Sequence, residues 1–155
     1  METNIQLFTV PIINRHLYMD LLLLADESKE IISGYINKGD MYAISDKDEV
    51  IGVVLFIFHA DQIVELKNIA LHANVRGEGL GKKIIAEAIQ LYRLKNYKKM
   101  IVGTANSSIA NIAFYQKAGF RLTEIKKGFF DKYPVAIYED GIRAQDMIMF
   151  EKYLD

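Results

Sequence analysis

The chain has 155 residues, 20 acidic against 19 basic, with no cysteine and 51% apolar residues. That length predicts one domain over residues 1–155 with a core of real size. The balanced charge excludes a broad basic field for nucleic acid, and the lack of cysteine excludes a disulfide framework, a thiolate metal site and a cysteine nucleophile.

Cysteine-free composition fits a reducing cytoplasm. Met1-Glu2-Thr3-Asn4 lacks the basic start and apolar run of a secretory signal. The longest apolar run, Val50–Ala60, is too short to span a bilayer as a helix, so no membrane partner is expected.

In chain order, Ile5–Val10 reads as a strand. Asn14 is placed to cap a helix reaching about Ala25, with Leu17, Leu21 and Leu24 on one face. Ser28 is placed to cap a second helix to about Asn37, stopped by Lys38-Gly39. Met41–Ser45, Val50–Phe58 and Ile63–Leu71 read as strands, separated by turns at 46–49 and 61–62. In the last of them Ile63, Glu65, Lys67 and Ile69 alternate with Val64, Leu66, Asn68 and Ala70.

A glycine-rich loop leads into a helix from about Gly79 to Leu94, with Leu80, Ile84, Ile85, Ala88, Ile89 and Leu91 as its apolar stripe. Met100–Thr104 is a strand. Asn106-Ser107-Ser108 opens a helix to Lys117, ended by Gly119. Arg121–Lys127 and Ala144–Phe150 close the order as strands, joined by a long aromatic loop, Gly128–Arg143. A loop of that length in a compact domain is more often functional than idle. The order β-α-α-β-β-β-α-β-α-β-β predicts an α/β (α+β mixed) fold, a mixed sheet with helices on both faces.

The loop Arg76-Gly77-Glu78-Gly79-Leu80-Gly81-Lys82 carries the clearest chemistry. Glycines between a strand and a helix let the backbone approach a ligand and turn its N–H groups outward, and the helix start favours an anion. Arg76 stands where a P-loop needs glycine and Lys83 where it needs Ser or Thr; the dinucleotide pattern lacks its third glycine at Lys82. A turn kept only for close packing remains the alternative for the glycines alone.

Arg76-x-x-Gly79-x-Gly81 resembles the acyl-CoA signature of the GNAT superfamily. Asn68-Ile69-Ala70-Leu71 is similar to that family's cofactor-binding strand, and Phe114-Tyr115-Gln116-Lys117-Ala118-Gly119-Phe120 to its second signature. The three lie in the family's order and separation. The resemblance implies a single-domain acetyl-CoA-dependent N-acetyltransferase, with coenzyme A as product. Its central sheet would be mostly antiparallel and splayed between the fourth and fifth strands. Arg76, Gly77, Glu78, Gly79, Leu80, Gly81 and Lys82 would hold the pyrophosphate. Ile69, Ala70 and Leu71 would pair with the pantetheine arm. Asn106, Ser108 and Asn111 are the candidates to contact that arm from the next loop, because the family's usual Asn falls here at Ser108. Phe114 and Lys117 would complete the cofactor wall.

By the same resemblance, Tyr115 would be the general acid beside the departing sulfur, since a thiolate leaving group needs a proton or a hydrogen bond. Glu65, four residues before Ile69, matches the position of a general base in several members. A solvated carboxylate or a water chain is the alternative, and His72 a further proton acceptor. His16 and His59 carry no assignment, and no metal site is apparent. Phe130, Tyr133 and Glu139, in the long loop, are the candidate acceptor-binding residues. Aromatic rings with carboxylates suit a cationic amine, on a small molecule or a peptide. A homodimer and a non-catalytic acyl-CoA-binding module stay open.

Overall fold

Strand β1 (Ile5–Thr9) leads through a 3₁₀ turn (Ile12–Tyr18) into helices α1 (Met19–Ala25) and α2 (Lys29–Ser33). Strands β2 (Asp40–Asp46), β3 (Glu49–His59) and β4 (Ile63–Leu71) follow as antiparallel hairpins, then helix α3 (Leu80–Leu94), strand β5 (Lys99–Ala105) and helix α4 (Ile109–Lys117). Strand β6 (Arg121–Lys126), a short hairpin of β7 (Tyr138–Glu139) and β8 (Ile142–Arg143), and β9 (Met147–Tyr153) complete the chain. The computed structural model describes residues 4–77 and 79–155. Seven strands form one sheet in the order β1-β2-β3-β4-β5-β9-β6, antiparallel except for the β4–β5 pair.

The two faces of the sheet carry different helices. Leu80, Ile84, Ile85, Ala88, Ile89 and Tyr92 of α3 pack with Val54, Phe56, Val64 and Leu66. Leu21 and Leu22 of α1 and Ile32 of α2 pack on the opposite face with Met41, Val53, Leu55 and Ala70. The helix stripe is as expected except at its end, where Tyr92 is fully buried and Leu91 is only partly so. The turns at 47–48 and 61–62 have positive φ at both central residues, the twist that tight hairpins require.

Three expectations need correction. The segment after Pro11 forms a 3₁₀ turn rather than an α-helix capped by Asn14, because Pro11 at φ −59° starts a tighter winding. The change of period rotates Leu17 out to 69% exposure, and the buried leucines are Leu21 and Leu22. Strand β9 begins at Met147 rather than Ala144, because Asn106 Oδ1 accepts the N–H groups of Gln145 and Asp146 and holds them out of the ladder. The second helix ends at Ser33, although Ser28 caps it as expected, its Oγ accepting the Ile31 N–H at 3.2 Å.

Arg15 closes this region from inside. It is buried and donates to the carbonyls of Ile36, Lys38 and Gly39 at 2.7–2.9 Å. These carbonyls lie in the turn between α2 and β2, where the chain has neither a helix nor a sheet partner for them.

Candidate active site

The parallel pairing of β4 and β5 stops early. Ile63–Leu66 pair with Lys99–Val102, and beyond them the two strands separate. Lys67, Asn68, Ile69 and Leu71 on one side, and Gly103, Thr104 and Ala105 on the other, become walls of a cavity of about 690 Å³. Backbone groups on these separated edges are free to pair with an extended ligand.

A bulge in β4 sets what faces that cavity. Leu55 pairs with Asn68 and Phe56 with Leu66, so Lys67 has no partner on β3. The alternation expected through Ile63, Glu65, Lys67 and Ile69 therefore breaks. Val64, Leu66, Ile69 and Leu71 share the α3 core, whereas Ala70 turns to the α1–α2 core and Asn68 bonds to Leu22 and Tyr35 there.

Gly79 is the N-cap of α3, in the left-handed region at φ +75°, and Gly77 lies at φ +83°. A Cβ built on either meets nothing within 4 Å, so both face open space at the start of the helix. Gly81 differs: its Cβ would lie 3.1 Å from Phe114 Cζ, so this glycine lets α3 and α4 approach. Arg76 donates from Nε to the Leu71 carbonyl at 3.2 Å and lines the cavity with Gly77 and Gly81. Leu80 is buried in the core and Lys82 is exposed. Neither of these lines the cavity, nor do Gly79, Ala70 and Lys117. Glu78 lies outside the described residues.

Tyr115 on α4 lines the cavity while only 6% exposed, held by Phe114, Phe120 and Phe150 at ring-centroid distances of 5.2–5.9 Å. Burial pushes its phenol up to about 12, so the hydroxyl stays protonated and able to donate at neutral pH. Phe114, Ser108 and Asn111 share the cavity wall. Asn106 does not; its amide is engaged with the backbone of residues 143, 145 and 146.

Glu65 lies outside the cavity lining. Its carboxylate holds His59 Nε2 at 2.7 Å and stands 4.0 Å from Lys67 Nζ. His72 also lies outside, against a separate pocket near β3.

One end of the cavity is formed by the elbow after α1 and the long loop. Phe130, Tyr133 and Glu139 all line the cavity. Glu139 Oε1 accepts from both Ser107 and Ser108, at 3.0 and 2.7 Å, which anchors the β7–β8 hairpin on the start of α4. Sequence reasoning missed Asp26, whose carboxylate accepts Tyr133 at 2.9 Å and Tyr35 at 2.9 Å. Tyr35 in turn accepts from Asn68 at the bulge, at 3.0 Å. Burial foremost, with Asp26 adding to it, pushes both phenols up, so each remains a donor. The signal for Asp26 was its place as the residue ending α1, in the elbow between the two helices.

Among the described residues, no helix is long and apolar enough to cross a membrane. A sequence profile for the acetyltransferase (GNAT) family matches residues 15–120. The uncharacterised N-acetyltransferase YvbK of Bacillus subtilis is 39% identical over 143 residues, 92% of this chain and 90% of that one. A GNAT family acetyltransferase from Elizabethkingia anophelis, solved with acetyl-CoA bound, is 38% identical, superposes with a TM-score of 0.87 and covers 97% of each chain. An IAA acetyltransferase from Bacillus cereus is 34% identical with a TM-score of 0.88, over 97% of this chain and 99% of that one. With the splayed β4–β5 pair, the glycine loop and Tyr115 in one cavity, and these relatives along nearly its whole length, the chain belongs to the acetyltransferase (GNAT) family.

Proposed function

We propose that this enzyme transfers the acetyl group of acetyl-CoA to a primary amine of a small molecule or peptide, by direct attack in the cavity between β4 and β5. The observation that carries the reading is that Tyr115, the glycine loop and the unpaired edge of β4 line one cavity. The site fits the donor in three respects. Gly77 and Gly79 leave open space at the N-terminus of α3, suited to a pyrophosphate. Ile69 and Leu71 offer backbone groups to the pantetheine arm, with Ser108 and Asn111 on the facing wall. Phe114 lies between the two regions, packed on Gly81.

Acetyl-CoA supplies an activated thioester carbonyl and a thiolate leaving group. As the new N–C bond forms and the C–S bond breaks, Tyr115 donates a hydrogen bond to the sulfur. Burial raises the Tyr115 phenol, so it stays protonated and serves as a hydrogen-bond donor to the departing sulfur at neutral pH. Tyr115 stabilises the departing thiolate as a donor; the amine attacks as its free base, and the proton that nitrogen loses as the amide forms balances the one the sulfur gains. The polar groups around the amine take that proton first. Glu65, with His59 hydrogen-bonded to it, accepts it through water, since its carboxylate lies outside the cavity.

Thiol release from acetyl-CoA, followed with and without a panel of amines, tests this reading. It requires release that depends on the amine and is matched by acetylated product. Coenzyme A affinity with no amine-dependent release across the panel would instead describe a binding module.

A further inference from the structure

Strand β6 lies at one edge of the sheet, and all six of its residues, Arg121–Lys126, are exposed. The strand at the other edge, β1, differs: its Ile5 and Leu7 pack on the core while Gln6 and Phe8 meet solvent. The ladder between β6 and β9 slips at Thr123, where Leu122 pairs with Phe150 and Glu124 with Met149. This bulge puts Leu122 and Ile125 on one face of the sheet, beside Phe150 and Ile148 of the α3–α4 core. They remain 54% and 59% exposed. Arg121, Glu124 and Lys126 take the opposite face, and among the described residues none of them is in an ion pair.

An edge strand carries a row of backbone N–H and C=O groups open to another strand. A second copy of the same strand meets it antiparallel about a two-fold axis, so that each contact occurs twice. The residues of β6 select the register. Pairings centred nearer Thr123 run through the bulge, and the one that opposes Leu122 to Ile125 also sets Arg121 against Lys126, like charges face to face. Centred on Ile125, the pairing uses the regular stretch Glu124–Lys126, which runs without a slip against Met147–Met149. It sets Ile125 against its own copy at the axis, with each Leu122 flanking along the same face. On the other face it places Glu124 opposite the partner's Lys126, twice.

We infer that two copies of this chain associate through β6, antiparallel about Ile125, so that their sheets join into one and two Glu124–Lys126 pairs fix the register. The inference is independent of the acetyl donor and of the acceptor amine.

Sedimentation velocity of the full chain over a concentration series gives the mass and the Kd of association. The wild type should sediment at twice the mass of one chain. Glu124→Lys and Lys126→Glu should each raise the Kd by about tenfold or more, because each turns two cross-strand attractions into two repulsions. The variant carrying both changes should return the Kd to near the wild-type value, and so should an equimolar mixture of the two single variants. Ile125→Lys should leave a monomer. Far-UV circular dichroism shows whether each variant keeps the fold, which is expected because all the altered side chains are exposed. A wild type that stays monomeric across the series, or a dimer that survives Ile125→Lys, overturns the proposal. A dimer lost in Ile125→Lys but indifferent to both charge reversals overturns the register, and the proposal with it.

Discussion

Tyr133 donates a hydrogen bond to Asp26 at 2.9 Å across 107 residues of sequence, tying the aromatic loop to the elbow between α1 and α2. Both residues line the cavity, so this contact ties two distant segments of its wall together, at the end proposed to take the acceptor. Asp26→Asn and Tyr133→Phe should raise the KM for the amine by roughly tenfold, with kcat less affected, because a charge-assisted bond that positions the loop is lost. Steady-state kinetics on one good acceptor decides it. An unchanged KM in both variants would mean that the loop holds its place without this bond.

The two glycines of the α3 entrance should respond differently. Gly79→Val places a β-branched residue at φ +75° and fills open space, so it should lower stability by about 1–2 kcal/mol and weaken coenzyme A binding as well. Gly81→Val presses on Phe114 and should act through the packing of α3 against α4. Thermal unfolding and calorimetric titration separate the two. Full coenzyme A affinity in Gly79→Val would remove the loop from the pyrophosphate site.

Glu65 gives the kinetic test of proton removal. As the base, Glu65→Gln should lower kcat by roughly 10²-fold or more and alter the acidic limb of the pH–rate profile. If Glu65 only orders His59 and Lys67, the variant should change KM for the amine and leave the acidic limb in place. His59→Gln, which keeps Glu65 but removes its 2.7 Å partner, should reproduce part of the loss in the first case.

Arg15→Met should destabilise the fold by about 1–3 kcal/mol, because it leaves the buried Ile36 carbonyl without its donor and releases the part-buried carbonyls of Lys38 and Gly39. The kinetic constants of the folded fraction should be unaffected. Loss of stability below about 1 kcal/mol would mean that water reaches those carbonyls.

Much of this was legible in the sequence because local signals agreed. Ser28 capped α2, the α3 stripe fell in the core, and the positions of Arg76, Gly81 and Tyr115 carried the motif spacing to one cavity. What was not legible depended on non-local pairing. Periodicity alone put Ile69 on the face of Glu65, and only the pairing of β3 with β4 shows the bulge at Lys67 that separates them. Asn106 and Ser108 were indistinguishable by spacing. The β8–β9 connection, nearly forty residues on in the chain, is what engages Asn106 and leaves Ser108 on the cavity wall. Asp26 escaped notice because its two phenol partners, Tyr35 and Tyr133, come from distant segments.

The central claim is that the reacting sulfur lies between the separated strands, beside the buried phenol of Tyr115. A crystal structure of the coenzyme A complex measures this directly. The account predicts the sulfur within about 3.5 Å of Tyr115 Oη, the pantetheine paired with the backbone of Ile69 and Leu71, and the pyrophosphate at the start of α3. Coenzyme A seated elsewhere, or seated here with its sulfur beyond hydrogen-bond reach of Tyr115 Oη, would contradict it.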